Sequence, residues 1–68
     1  MEKLTDNQVR WLYAMAKAIR GAVSVTQDKP PTALMRRLER RGYCKDVMGT
    51  FWYITDAGRE YLRQLENS

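Results

Sequence analysis

Four arginines, Arg36, Arg37, Arg40 and Arg41, fall within six residues of this 68-residue chain. A guanidinium keeps its charge at every accessible pH, and its planar fork of N–H donors matches phosphate and carboxylate oxygens. Residues 29–45 hold six basic residues against one acidic residue and carry a net charge of +5, whereas the whole chain carries +4. The cluster predicts contact with the phosphates of a nucleic acid. A solvated helix face is the simpler interpretation of the same residues.

Groups that could perform catalysis are scarce. The chain has no histidine, its single cysteine, Cys44, has no base beside it in sequence, and the carboxylates are scattered rather than paired. Cys44 also has no companion ligand for a metal ion. We therefore expect no enzymatic activity, no metal, no cofactor and no small-molecule substrate, and we interpret Cys44 as a small strand residue.

Length and composition indicate one domain spanning residues 1–68, close to the lower limit for an unaided hydrophobic core. The apolar fraction of 44% and the charged fraction of 29% are ordinary for a folded domain. No signal-like segment and no run of about 18 apolar residues occurs. The expected setting is cytoplasmic and reducing, without a membrane.

The first predicted element is a helix from about Asp6 to Arg20. Thr5 and Gln8 have the spacing of a capping box, and Gly21 is suited to a left-handed helix end. Two apolar stripes follow helical spacing. The stripe expected to face the core contains Val9, Leu12, Tyr13, Ala16 and Ile19. The second contains Trp11, Met15 and Ala18, and a helix with two apolar flanks suggests a further subunit.

A short strand is predicted at residues 22–26, and Pro30 and Pro31 then mark a loop or a helix entry. The second helix begins near Pro31 or Thr32 and ends at about Arg41, before Gly42. Its apolar residues share one face and its basic residues lie opposite them. The apolar face contains Leu34, Met35 and Leu38, and the opposite side contains Thr32, Ala33, Arg36, Arg37 and Arg40.

Residues 43–54 follow a period of two around a turn at residues 48–50, which predicts a β-hairpin. Trp52 and Ile54 should share one sheet face, with Phe51 and Tyr53 on the other. Thr55 is a good N-cap for a last helix. The fold class is therefore α+β: a helix, a short strand, a basic helix, a hairpin and a C-terminal helix.

Three segments resemble the winged helix-turn-helix domains of MarR-type regulators. Residues 32–43 (TALMRRLERRGY) are similar to the recognition helix and its exit, residues 53–59 (YITDAGR) to the end of the wing strand and the next helix, and residues 4–8 (LTDNQ) to the start of an early helix. Small proteins of this kind are common in phages and prophages. Between Gly21 and Pro31, however, the chain is too short for the full first helix of a helix-turn-helix.

The resemblance implies double-stranded DNA as the partner and transcriptional regulation of a phage or prophage type as the function. The recognition helix would enter the major groove, and the wing would follow the backbone. Thr32 and Arg36 would then approach bases, with Lys29, Arg37 and Arg40 nearer phosphates and Lys45 as the one cation of the hairpin. Because such regulators dimerise through terminal helices, the resemblance also implies a homodimer.

Trp11 and Met15, on the flank of the first helix, are the predicted dimer contacts. A chain this small cannot easily bury all seven of its aromatic residues. The alternative function is a winged-helix module that binds an acidic protein partner without contacting DNA. The short segment before the basic helix and a hairpin tip without basic residues favour that alternative.

Overall fold

The structure is a computed structural model and describes residues 3–67. Three helices pack against a three-stranded antiparallel sheet with the strand order β1-β3-β2. The small α+β domain predicted from the sequence is confirmed at that level. The elements in chain order are α1 (Asp6–Lys17), β1 (Ala22–Ser24), α2 (Thr32–Arg40), β2 (Cys44–Val47), β3 (Phe51–Ile54) and α3 (Asp56–Asn67).

The start of α1 follows the sequence prediction closely. Thr5 Oγ1 accepts the Gln8 N–H at 3.2 Å, and the Thr5 N–H donates to Gln8 Oε1 at 2.9 Å, so both halves of the capping box form. The end differs from the prediction. The helix stops at Lys17, and Ala18 is already extended, so Gly21, with φ of 68°, lies in a following turn rather than at the helix end.

The buried face of α1 lies between the two predicted stripes. Gln8, Leu12 and Met15 are buried, whereas Ile19, expected in the core, is fully exposed because the helix ends before it. Met15, a predicted dimer contact, is completely buried within its own subunit. Trp11 is only half-buried and packs against the edge of the core.

The sheet separates two sets of side chains, as its period of two predicts. Val23, Trp52 and Ile54 are buried on the face that meets the helices, together with Cys44. Phe51 and Tyr53 lie half-buried on the other face, with their ring centroids 6.2 Å apart. The predicted distribution of the β3 side chains is therefore confirmed.

Residues 25–31 form turns and loop, with no helix, as the short spacing in the sequence indicates. Asp28 holds this segment, because its Oδ2 accepts the Ser24 N–H at 2.8 Å and its own N–H donates to the Ser24 carbonyl at 3.0 Å. The chain then enters α2 directly after Pro31. Packing of Met35 and Leu38 into the core, both completely buried, fixes α2 in place of a supporting helix.

The segment between α2 and α3 is closed by a compact set of backbone contacts. Thr55 Oγ1 accepts the Gly58 N–H at 3.2 Å and so caps α3, as predicted. The Thr55 N–H donates to the Tyr43 carbonyl at 3.0 Å. A side chain at Gly58 would collide with that same carbonyl oxygen. The resemblance noted at residues 53–59 therefore coincides with a structural joint between β2, β3 and α3.

Among residues 3–67, no helix is long and apolar enough to cross a membrane.

Candidate nucleic-acid interface

The basic face of α2 points to solvent. Successive helical residues turn by about 100°, so burial of Met35 and Leu38 directs Arg40 directly outward, with Arg36 and Arg37 on its two flanks. All three arginines are exposed. The predicted opposition of an apolar and a basic side is confirmed, but the arginines on the two flanks have different surroundings.

On the flank facing the hairpin, Arg36 is held by its own domain. Its Nη1 lies 3.2 Å from Glu39 Oε1 and 4.0 Å from Asp46 Oδ2. Its guanidinium carbon lies 5.4 Å from the ring centroid of Trp52, in cation–π geometry. Asp46 and Trp52 are cross-strand neighbours, so one arginine contacts both strands of the hairpin. These contacts place Arg36 in the packing of α2 on the hairpin, although its side chain is 54% exposed.

On the flank facing α1, the basic residues surround an open depression of about 640 Å³. Its lining combines the segment around the first turn of α1 with the second half of α2 and the residue that follows it: Lys3, Thr5, Gln8, Arg37, Arg40 and Arg41. In the described part of the chain, no carboxylate lines it. The first turn of a helix also presents the positive end of its dipole. We call this surface the basic depression.

Lys3 is a member of the basic depression that the sequence prediction missed. It lies 34 positions before Arg37, and only the packing of α1 on α2 brings the two residues to the same surface. A lysine two residues before a predicted helix cap was the only local signal. Arg41, counted in the arginine cluster but not among the predicted contacts, also lines the depression.

The remaining predicted contact residues are dispersed. Thr32 is the exposed first residue of α2, and Lys29 is exposed in the preceding loop, with a left-handed φ of 49°. Lys45 lies opposite Tyr53 on β2, on the outer face of the sheet. Its neighbour Cys44 faces α2 and donates its S–H to the Met35 carbonyl at 3.5 Å. Lys45 therefore points away from α2, and the structure does not bring it to the arginines.

Cys44 is a strand residue, as the sequence predicts. It is buried beneath α2, and burial, with a smaller contribution from the charge of Glu39, raises the pKa of its thiol to about 12. A thiol with so high a pKa carries almost no thiolate at neutral pH and is a poor nucleophile.

The aromatic residues lie mainly in or against the core. Trp52 is buried, whereas Tyr43 and Tyr61 pack against the core with their rings 5.1 Å apart. The Tyr61 hydroxyl accepts the Leu4 N–H at 3.1 Å and so ties the residue before the α1 cap to α3. This contact fixes the chain beside Lys3 and thereby one wall of the basic depression.

Comparison of the chain with models of known protein families, with curated proteins and with solved structures finds no match. The assignment of a function consequently depends on the surface itself.

Proposed function

We propose that this protein binds double-stranded DNA through the basic depression, and that it is a small winged-helix regulator of the phage or prophage type. One observation carries the proposal: Lys3, from the segment before α1, converges on one open surface with Arg37 and Arg40 of α2. All three side chains are exposed, so packing into the core does not explain why they lie close together. A surface that gathers like charges at some electrostatic cost is suited to a polyanion.

The order of elements supports the winged-helix interpretation. A helix, a strand, a basic helix, a hairpin and a final helix follow one another as in the resembling regulators, except that the loop at residues 25–31 replaces the helix before the recognition helix, and the hairpin lies beside α2. In this proposal α2 enters the major groove, whose width of about 12 Å accepts one helix. Arg40 then lies at the centre of the contact, Arg37 and Lys3 reach phosphates, and Thr32 approaches base edges.

Arg36 has a revised role in the proposal. The resemblance implied a base contact, but Glu39, Asp46 and Trp52 already hold its guanidinium. We assign it as a positioning residue that fixes the hairpin relative to α2. With so few side chains left to contact base edges, phosphate contacts dominate and sequence preference is modest.

A salt series tests the proposal. Binding of the wild-type chain to a mixed-sequence duplex should weaken with salt, and log K should fall against log salt with a slope of roughly −4 if about four or five phosphates are neutralised. Replacing both Arg37 and Arg40 with alanine should make that slope shallower by about 2, because each phosphate contact contributes about 1. The fold should persist, since both side chains are exposed.

A charge-matched control separates a defined surface from general attraction. The double variant Arg20→Ala/Arg63→Ala removes the same net charge from exposed positions outside the basic depression. We expect it to retain nearly the wild-type slope. Equal losses in both double variants, or no binding of the wild-type chain at low salt, would contradict the proposal.

The alternative is a protein-interaction module whose basic depression binds an acidic partner. The uncharged hairpin tip and the loop at residues 25–31 in place of a helix favour it. In that case duplex affinity stays weak and is unchanged by the Arg37/Arg40 substitutions.

We also propose, from the resemblance, a homodimer that uses the half-buried Trp11. A monomeric mass at micromolar concentration would contradict that assembly.

A further inference from the structure

The tip of the β2–β3 hairpin contains a residue, Met48, whose type is unfavourable for its backbone conformation. Met48 and Gly49 both have positive φ, 57° and 66°, and the Thr50 N–H donates to the Val47 carbonyl at 3.1 Å. Positive φ at both central positions is the requirement of a type I′ turn, whose central positions favour asparagine, aspartate and glycine. Methionine has a full Cβ and no local hydrogen bond to offset the left-handed conformation. An asparagine at residue 48 would form the same turn at lower conformational cost.

Packing in the core does not offset the conformational cost at Met48. Its side chain is 93% exposed, whereas the other three methionines include Met15 and Met35, which are completely buried. The turn around it is well held, because Asp46 Oδ1 accepts the Gly49 N–H at 3.0 Å and Thr50 Oγ1 donates to the Met48 carbonyl at 3.2 Å. A strained residue that adds little to folding, on a fixed tip, indicates a role in contact with another molecule.

The hairpin tip is also fixed relative to α2. Asp46, two residues before Met48, lies 4.0 Å from Arg36 of α2, which in turn covers Trp52 of the other strand. Residues 47–50 carry no charge, so the tip is poorly suited to phosphates. The tip instead presents the flexible, polarizable and apolar side chain of Met48.

We propose that Met48 is an apolar wedge that enters the minor groove and inserts partly between two stacked base pairs. The inference depends on the proposed DNA-binding function and specifies what the hairpin contributes to it. If α2 fills a major groove, the hairpin beside it meets the adjacent minor groove, which is only about 6 Å wide and admits a side chain more readily than a strand pair. Apolar wedges, methionine included, unstack a base step and bend the duplex towards the major groove.

A Met48 wedge predicts a preference for particular base steps in the DNA, and its effect on binding should differ from that of the arginines. Pyrimidine–purine steps unstack most easily, so a TA or CA step at the wedge should favour binding without a hydrogen bond to any base. An apolar contact releases no counterions, so Met48 should affect affinity while leaving the salt slope unchanged.

Three variants of the full chain test the wedge against a duplex of about 30 base pairs that carries a fluorescence donor and acceptor at its ends and 2-aminopurine at a TA step. Met48→Asn should raise the melting temperature by a few degrees, since the turn is relieved. It should weaken binding by about tenfold, because a buried methionine side chain is lost, and abolish both the bend and the 2-aminopurine signal. Met48→Leu keeps an apolar tip and should bind and bend DNA like the wild type.

Ile19→Asn is the matched control. Ile19 is also fully exposed, but it precedes Gly21, whose carbonyl accepts the Ile54 N–H at the end of β3 away from the tip. We expect this variant to bind and bend as the wild type does. Wild-type affinity and bending in Met48→Asn, or an equal loss in Ile19→Asn, would overturn the wedge while leaving the DNA-binding proposal intact. Failure of the wild-type chain to bind any duplex at low salt would overturn both.

Discussion

The two flanks of α2 show how one residue type takes two roles. Arg36 meets two carboxylates and the face of Trp52, so groups of the same domain offset its charge. Arg37 meets Lys3 and Arg40 around the basic depression, so its charge adds to theirs. The two residues are adjacent in sequence and lie about 100° apart around the helix. The environment on each side, rather than the residue type, separates a positioning residue from a candidate ligand contact.

The largest expected effect concerns the alkylation rate of Cys44, which reports whether α2 stays packed on β2. Burial raises the pKa of its thiol from 9.0 to about 12, so the thiolate fraction at pH 8 should fall by about 10³ relative to the unfolded chain. Alkylation of the native protein should be slower by at least that factor, and it should accelerate with denaturant. Rapid alkylation of the native protein would show that α2 does not stay packed on β2.

The same shift gives a pH dependence with a definite sign. The folded chain favours the neutral thiol, so this contribution to stability is complete below about pH 9 and is lost as the pH rises from 9 towards 12. A Cys44→Ala variant lacks this loss and serves as the control. Parallel stability curves for the two proteins between pH 8 and 11 would contradict the assignment.

Gly58→Ala should disrupt the joint between β2, β3 and α3. In a helix interior this change normally stabilises by about 1 kcal/mol. Here the new methyl group would collide with the Tyr43 carbonyl and with Ile54 Cγ1. We expect the free energy of unfolding to fall by about 2–3 kcal/mol, a loss of roughly 100-fold in the folding equilibrium constant. Denaturant titration measures it, and a stabilised variant would show that α3 does not approach β2 so closely.

The parts of this architecture that the sequence predicts well are local. The Thr5–Gln8 capping box and the alternation along β3 each depend on residues a few positions apart, and both appear as expected. The buried face of α1 was not predictable in the same way, because two apolar stripes compete and only the partner elements decide that Met15 lies inwards. Ile19 is exposed because the helix ends at Lys17. Lys3 was missed for a similar reason, since its neighbours on the surface are distant in sequence.

A crossed pair of substitutions compares the flanks most directly. Arg36→Ala should lower the free energy of unfolding by about 1 kcal/mol, through loss of a half-exposed cation–π contact and ion pairs. Its effect on the salt slope of DNA binding should be small. Arg37→Ala should leave stability unchanged or slightly higher, because one of several neighbouring like charges is removed. It should weaken DNA binding by up to about tenfold and reduce the slope by about 1. If both variants change the same property, the two flanks are not functionally distinct.

Lys45→Ala should have the smallest effect and sharpens the comparison from outside α2. The sequence places this lysine among the contact residues, but the structure directs it to the outer face of the sheet, opposite Tyr53, while Cys44 faces α2. An exposed charge on that face acts on DNA only through screened, long-range attraction. Affinity should therefore change by less than about twofold at physiological salt, with no change in slope. A loss as large as that of Arg37→Ala would mean that the outer sheet face also contacts the duplex, and the basic depression would then be only part of the interface.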